Sequence, residues 1–250
     1  MIINNAMHTT HNPIEISGVY KSFNNKQVLK DVNLSISKGE IFGLVGLNGS
    51  GKTTLIKIML ALSMADEGTI SLFGKGSKKM ESRKKIAYLP EKFQPSSFLK
   101  GEEFLAMNLA YKKISYSPEK SKLMCGNLAL DQRVLKTRVG QYSKGMGQKL
   151  GLVGAFLTDA DLYILDEPAS GLDHQSRMLL KKLFINTKKL GKTILFSSHI
   201  LSDIEEICDR IAIIHDSKIL FVGTASELCK KFNQRTLEQA FMHLLESDKQ

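Results

Sequence analysis

The chain has 250 residues, 42% of them hydrophobic, which is enough for one large domain with a substantial apolar core. Its net charge of +10 favours acidic partners such as nucleotides, nucleic acid or an anionic membrane surface. The three cysteines form no CxxC pair, which argues against a disulfide framework and a zinc site. We expect neither a signal peptide nor a membrane-spanning helix, because no stretch approaches about 18 uninterrupted apolar residues.

Residues 1–13 are polar and predict a flexible N-terminal segment. His8 and His11 lie in it, and two histidines in a polar tail are more typical of solvated residues than of a metal site. The next stretches, IEISGVYKSF and QVLKDVNLSIS, alternate polar and apolar residues. This alternation predicts antiparallel strands at one edge of the fold.

Five short apolar runs predict strands that are buried on both faces, because they do not alternate. They cover residues 41–45, 86–89, 162–165, 193–197 and 211–215. Helical patterns separate these runs, for example at 53–62 and 177–190. The order predicts an α/β fold with a mainly parallel central sheet.

Three further segments have patterns of their own. Residues from about 92 to 153 are helical in pattern and predict a helical subdomain inserted between two strands. Residues 226–250 predict a C-terminal helical tail that becomes increasingly polar. The basic run KGSKKMESRKK (75–85) is typical of a solvated face, and contact with a membrane or a partner loop is its alternative.

The stretch GLNGSGKT fits the pattern G-x-x-x-x-G-K-[ST] and lies between a predicted strand and a predicted helix. Glycines let backbone N–H groups approach an anion, and the following helix presents its positive end. The predicted nucleotide contacts are Gly46, Leu47, Asn48, Gly49, Ser50, Gly51, Lys52, Thr53 and Thr54. Lys52 would reach the β- and γ-phosphates of ATP, and Thr53 would hold Mg²⁺. A chance glycine turn is the alternative.

Asp166 and Glu167 directly follow the apolar run LYIL and are typical of the second half of a phosphoryl-transfer site. The carboxyl ends of neighbouring parallel strands lie side by side, so Asp166 can approach Thr53 and support Mg²⁺. Glu167 would activate the attacking water as a general base. A solvated acidic turn is the alternative.

The set of motifs is completed by three more segments, QYSKGMGQKLGL, ASGLD and ILFSSH. With them the sequence resembles the ATP-binding subunit of an ABC transporter from about residue 14 to residue 223. The resemblance implies an ATPase domain over 14–225 with a P-loop NTPase core. It implies that Phe23 stacks on adenine, although an ordinary edge-strand residue is the alternative.

The resemblance also implies roles for residues of the other motifs. Ser143 and Gly145 would meet the γ-phosphate held by a second copy, so that two chains pack head to tail around two ATP molecules. Asp173 would be the D-loop aspartate and one of the nucleotide-binding residues. His199 would be the catalytic switch histidine near the γ-phosphate, and Glu91 would ligate Mg²⁺ where the family usually has a glutamine.

Four positions depart from the commonest family pattern: Leu47, Glu91, Lys144 and His174. Glu91 has the largest expected consequence, because an ionised carboxylate only accepts hydrogen bonds, whereas a glutamine also donates them. The segments YLPE, YSKGM and TLEQAF are similar to those of an exporter-like subgroup, in which this glutamate is common. We therefore expect activity to survive the change.

Partners follow from the same resemblance. It implies a transmembrane permease subunit that sets the cargo, a second ATP-binding subunit in a homodimer, and no nucleic acid. The chain would lie at the cytoplasmic face of the inner (plasma) membrane through the permease. A relative that acts on ribosomes or nucleic acid is the alternative, but such relatives usually have two ATPase units or long coiled-coil insertions. Assignment as a P-loop kinase would leave the segments YSKGMGQ and SGLD unexplained.

Overall fold

The structure is a computed structural model that describes residues 12–248. Residues 1–11, with His8 and His11, and residues 249–250 lie outside the described part. The predicted N-terminal segment is therefore seen only at positions 12 and 13, directly before the first strand.

Strands and helices alternate through most of the described chain. The strands are β1 Ile14–Phe23, β2 Lys26–Ile36, β3 Ile41–Val45, β4 Glu67–Leu72, β5 Lys75–Gly76, β6 Ile86–Leu89, β7 Leu162–Leu165, β8 Thr193–Ser198, β9 Arg210–His215 and β10 Lys218–Gly223. The helices are α1 Lys52–Met59, α2 Met80–Arg83, α3 Gly101–Tyr111, α4 Pro118–Asn127, α5 Lys144–Phe156, α6 His174–Lys189, α7 Leu201–Ile207, α8 Ala225–Lys231 and α9 Leu237–Ser247. Two 3₁₀ turns, Gln132–Lys136 and Val139–Gln141, precede α5.

The central sheet has six strands in the order β10-β9-β3-β8-β7-β6. All neighbours are parallel except β10, which runs antiparallel to β9. The predicted α/β fold with a mainly parallel sheet is confirmed, and the five predicted runs form β3, β6, β7, β8 and β9. The sequence analysis did not identify β10, which is only partly buried.

The N-terminal strands form a separate antiparallel sheet in the order β2-β1-β4-β5. The alternating pattern predicted β1 and β2, but β4 and β5 went unrecognised because they are short or exposed. Gly68, the second residue of β4, has a φ of 86°, and an added Cβ there would lie 2.1 Å from the carbonyl oxygen of Gly18. Only glycine permits this approach of the two strands.

Apolar side chains of β3 alternate between the two faces of the central sheet. Phe42 and Leu44 pack with α1 and the antiparallel sheet. Ile41 and Val45 face the cluster that includes Phe184 of α6 and the inserted helices. The strand is therefore buried on both faces, as its uninterrupted apolar run predicts.

The chain between β6 and β7 is helical in the structure, with α3, α4, the two 3₁₀ turns and α5. Helix α5 continues to Phe156, past residue 153 where the sequence pattern placed the end of the subdomain. In the C-terminal tail, α9 buries one face, including Leu237 and Phe241, in contact with α7 and α8. No helix within residues 12–248 has the length and apolar character needed to cross a bilayer.

The basic run 75–85 makes several internal contacts. Lys75 lies 2.8 Å from Glu81, and Lys85 lies 3.1 Å from Asp161. The Arg83 guanidinium donates to the carbonyl of Ser77 at 2.5 Å. Part of the run's charge is thus neutralised within the chain, and the side chains of Lys75 and Lys85 stay more than half exposed.

We predict that Gly43→Ala lowers the free energy of unfolding by about 1–3 kcal/mol through overpacking of the core. An added Cβ at Gly43 would lie 2.8 Å from Cδ1 of Ile204 and 2.9 Å from Sγ of Cys208. Gly76→Ala is the control, because a Cβ there meets no atom within 4 Å. Urea denaturation measures both variants, and equal destabilisation would contradict the tight packing of α7 on β3.

Candidate functional site

The loop between β3 and α1 brings its backbone close to two neighbouring strands. A Cβ at Gly46 would lie 2.5 Å from the carbonyl oxygen of Ile214, and one at Gly51 would lie 2.8 Å from that of Val28. Gly51 has a φ of 109° and no side chain caps α1. Because α1 also has no acidic residue in its first turn, its N–H groups face an environment suited to an anion.

Lys52 is folded back into this loop and is only 6% exposed. Its Nζ donates to the carbonyl oxygens of Gly46 at 2.7 Å and Leu47 at 3.2 Å, and lies 4.0 Å from Oε1 of Glu167. Burial lowers the pKa of Lys52, and the carboxylates of Glu167 and Asp166 oppose this effect. The ammonium is therefore held beside the loop with its charge partly offset.

A cleft of about 240 Å³ lies above the loop. It is lined by Val28, Asn48, Gly49, Ser50, Gly51, Lys52, Thr53, Thr54, Glu91, Glu167, Ser170 and His199. The fold thus brings most of the predicted loop residues together with Glu91, Glu167 and His199. Val28 and Ser170 were not predicted to line the cleft, although Ser170 belongs to the segment ASGLD.

Asp166 directly follows β7 and is fully buried. Its Oδ1 accepts a hydrogen bond from Oγ of Ser197 at 2.5 Å, and the same Oγ accepts from the N–H of Glu167 at 2.8 Å. One hydroxyl on β8 therefore satisfies groups of two successive residues after β7. The sequence analysis missed Ser197, although the two serines that end the apolar run ILF of this strand are a recognisable signal.

Glu167 has a φ of 49°, in the left-handed region that non-glycine residues rarely adopt. Its Oε2 lies 2.8 Å from Nδ1 of His199. Because an ionised carboxylate only accepts hydrogen bonds, Nδ1 of His199 carries the proton of this bond. Oε1 is buried and has no hydrogen-bond partner among residues 12–248. The turned backbone directs this carboxylate into the cleft beside Lys52.

The oxygen atoms near the loop are of the kind that Mg²⁺ prefers. Asp166 has a second buried oxygen, Oδ2, without a partner in the described residues. Thr53 and Glu91 line the cleft with a hydroxyl and a carboxylate. No group of three or more His, Cys, Asp or Glu side chains suited to a metal occurs within residues 12–248. The donor set fits a Mg²⁺ ion that also takes phosphate oxygens.

Phe23 lies at the end of β1 and is 49% exposed, outside the lining of the cleft. The ammonium of Lys21 lies 5.1 Å from its ring centroid, a cation–π contact. The ring is thus half-exposed at the end of β1, with an ammonium near one face. Its role in stacking on adenine stays a prediction.

Ser143, Gly145 and Asp173 also lie outside the lining of the cleft. Ser143 caps α5 by accepting a hydrogen bond from the N–H of Met146, and Asp173 caps α6 in the same way for Ser176. A Cβ at Gly145 would lie 2.8 Å from the carbonyl oxygen of Gly171. The starts of α5 and α6 are thus close together, and Gly171, which Gly145 approaches, follows the lining residue Ser170.

The family model described as ABC transporter matches residues 29–170, more than half of the chain. This range includes the glycine-rich loop, Glu91, the segment around Ser143, and Asp166 with Glu167. Phe23, Asp173 and His199 lie beyond it, so the match does not bear on their roles.

An ABC transporter ATP-binding protein of Synechocystis sp. is 38% identical over 221 residues, which are 86% of this chain and 62% of that protein. The Nod factor export ATP-binding protein I of Burkholderia orbicola is 31% identical over 220 residues, 86% of this chain and 72% of that protein. A solved structure of the ATP binding subunit of an ABC transporter matches with a TM-score of 0.86 and 31% identity, and covers 93% of this chain and 99% of that chain. The chain spans about three fifths of the length of the Synechocystis relative.

We predict that Ser197→Ala lowers the free energy of unfolding by about 1–3 kcal/mol, because it leaves a buried carboxylate oxygen and the N–H of Glu167 without their shared partner. Ser198→Ala is the control, since among residues 12–248 this buried hydroxyl accepts only from the N–H of Ile200. Urea denaturation compares the two variants. If Ser197→Ala is as stable as Ser198→Ala, the bridging hydroxyl contributes nothing to stability.

Proposed function

The chain belongs to the ABC transporter family as an ATP-binding subunit, and from this membership we propose that it hydrolyses ATP to drive export through a separate membrane protein. Domains of this family are ATPases in general, and their ATP-binding subunits work with transmembrane components. Export is supported by the name of the Burkholderia relative, a Nod factor export protein. The chain would then lie at the cytoplasmic face of the inner membrane, against the permease.

One observation carries the catalytic part of the proposal: the carboxylate of Glu167 lies between two groups suited to a terminal phosphate. Its Oε1 is 4.0 Å from Nζ of Lys52, and its Oε2 is 2.8 Å from Nδ1 of His199. All three residues line the cleft above the glycine-rich loop. A phosphate seated on the loop would therefore meet a cation, a base and an imidazole together.

In the proposed reaction Glu167 accepts a proton from a water molecule as the water oxygen forms a bond to the γ-phosphorus. The bond from that phosphorus to the bridging oxygen breaks, and ADP leaves with the bonding electrons. Lys52 exchanges the carbonyls of Gly46 and Leu47 for phosphate oxygens and neutralises their charge. His199 orients the base through the Nδ1 hydrogen bond.

We propose that Thr53, Asp166 and Glu91 hold Mg²⁺ together with the phosphates. When bound, the ion supplies positive charge that offsets the charge on the β- and γ-phosphates. The buried Oδ2 of Asp166, which has no partner within the described residues, supports this assignment. Glu91 would contribute a carboxylate where a glutamine is usual.

The site is proposed to be completed by a second copy of the chain. Ser143 caps α5 and is exposed at the helix N-terminus, where it and Gly145 would receive the γ-phosphate bound by the other copy. Asp173 caps the adjacent α6. Head-to-tail pairing of two copies would then place two ATP molecules between one chain's loop and the other chain's α5.

We predict that Glu167→Gln retains ATP binding but lowers hydrolysis by roughly 10²–10⁴-fold, because the amide cannot act as a general base. Binding of a fluorescent ATP analogue and release of phosphate measure the two properties separately. Glu238→Gln on the exposed face of α9 is the matched control and should leave both unchanged. Turnover of Glu167→Gln near the wild-type rate would remove the assigned role of Glu167.

We predict that Ser143→Arg leaves nucleotide binding by one chain intact and prevents the ATP-bound dimer, because the larger cation fills the place of the second copy's phosphate. The change is made in the Glu167→Gln background, in which ATP persists, and size-exclusion chromatography with light scattering reports the dimer. Ser117→Arg alters another capping serine, at the start of α4, and serves as the control. A dimer that forms equally well in both variants would contradict head-to-tail pairing.

A further inference from the structure

The amide of Gln148 makes hydrogen bonds that the proposed reaction does not yet use. Gln148 lies on α5 and is 6% exposed. Its Nε2 donates to the carbonyl oxygen of Pro168 at 3.0 Å and lies 3.4 Å from that of Glu167. The side chain therefore ties α5 to the backbone directly after β7, at the residue proposed as the general base.

The backbone of Glu167 is consequently held at both ends. Its N–H donates to Ser197, and its carbonyl oxygen accepts from Gln148. Between these bonds Glu167 adopts its left-handed conformation, which is unfavourable for a residue with a side chain. Hydrogen bonds at both ends thus stabilise the orientation that directs the carboxylate into the cleft.

Helix α5 and the segment 167–173 lie along one another over several contacts. A Cβ at Gly145 would touch the carbonyl oxygen of Gly171, and Nζ of Lys149 lies 3.8 Å from Oδ2 of Asp173. Gln148 forms the contact closest to Glu167. A displacement of α5 along or about its axis therefore acts on this segment and not only on the inserted helices.

Ser143 is five residues before Gln148 on the same helix. A rigid helix is one of the elements that can carry coupling between two sites, and Ser143 and Gln148 lie at the cap and in the second turn of α5. We propose that Gln148 is a positioning residue that couples the phosphate bound at Ser143 to the orientation of Glu167 in the same chain. The inference rests on the proposed function, because the phosphate at Ser143 belongs to the ATP held by the second copy.

The consequence is cooperation between the two sites of the dimer. ATP held by one copy would set the base that acts on ATP held by the other. Two sites that are coupled in this way give a Hill coefficient between one and two. Loss of the Gln148 amide would uncouple them and leave the phosphate-binding loop, which Gln148 does not line, unaffected.

The test is Gln148→Met, which keeps the length and bulk of the side chain and removes both N–H donors. ATPase rates are measured against ATP concentration for the full chain. We expect kcat to fall about tenfold, KM to stay within about twofold and the Hill coefficient to fall towards one. Asn108→Leu is the matched control, because Asn108 donates at 3.0 Å to the carbonyl of Gly154 on α5 without reaching Glu167.

A second variant, Gln148→Glu, gives a pH dependence that is not expected if the role of Gln148 is purely structural. The ionised carboxylate cannot donate to the carbonyls of Pro168 and Glu167, whereas the protonated acid can. Burial raises the pKa of such a carboxyl, so the rate of Gln148→Glu relative to wild type should rise as the pH falls from 8 towards ~6. Circular dichroism and ATP-analogue binding verify that each variant is folded.

Two outcomes overturn the inference in distinguishable ways. If wild type is cooperative and folded Gln148→Met keeps its kcat and Hill coefficient, Gln148 does not couple the sites, and the proposed function stands. If wild type has a Hill coefficient of one and a rate per chain independent of protein concentration, the paired sites of the proposed function are wrong, and the coupling is wrong with them.

Discussion

The parallel pairing of β3, β8 and β7 is the constraint on which the candidate site depends. In this register Val45 lies opposite Ser198, and Leu165 lies opposite Phe196. The three strands therefore end at one edge, where the glycine-rich loop, the Asp166–Glu167 pair and His199 follow them. Each strand is buried by apolar residues on both sides, so the core that stabilises the sheet also sets the distances among the reactive groups.

At this edge, the charged side chains form hydrogen bonds with neutral groups and also interact with one another. Lys52 contacts two carbonyl oxygens, Asp166 contacts the hydroxyl of Ser197, and Glu167 contacts the imidazole of His199. The three side chains are thereby fixed before any phosphate arrives. Such preorganisation is what phosphoryl transfer requires, since its catalysis depends mainly on positioning and charge.

The parts predictable from sequence were those with a local pattern. Uninterrupted apolar runs located the five parallel strands, and the glycine spacing located the loop at Gly46–Thr53. Contacts between distant segments carried no such pattern: Val28 meets the loop only because β2 passes it, and Gln148 meets Pro168 only after α5 folds against β7. Ser197 was missed because hydrophobic periodicity does not distinguish a serine that bridges two residues from one that is merely tolerated in a strand.

The internal bonds of Lys52 also govern which anions can bind well. Its ammonium already donates to two carbonyl oxygens inside the loop. The net binding free energy at the ammonium is therefore the interaction with the ligand minus the interaction with these two carbonyls. A single anionic group gains the difference between a charge-assisted hydrogen bond to the ammonium and the hydrogen bonds to the two neutral carbonyls. A chain of phosphates, which engages the ammonium and the first-turn amides of α1 simultaneously, offers much more. The folded-back lysine thus favours ligands that present several negative groups together.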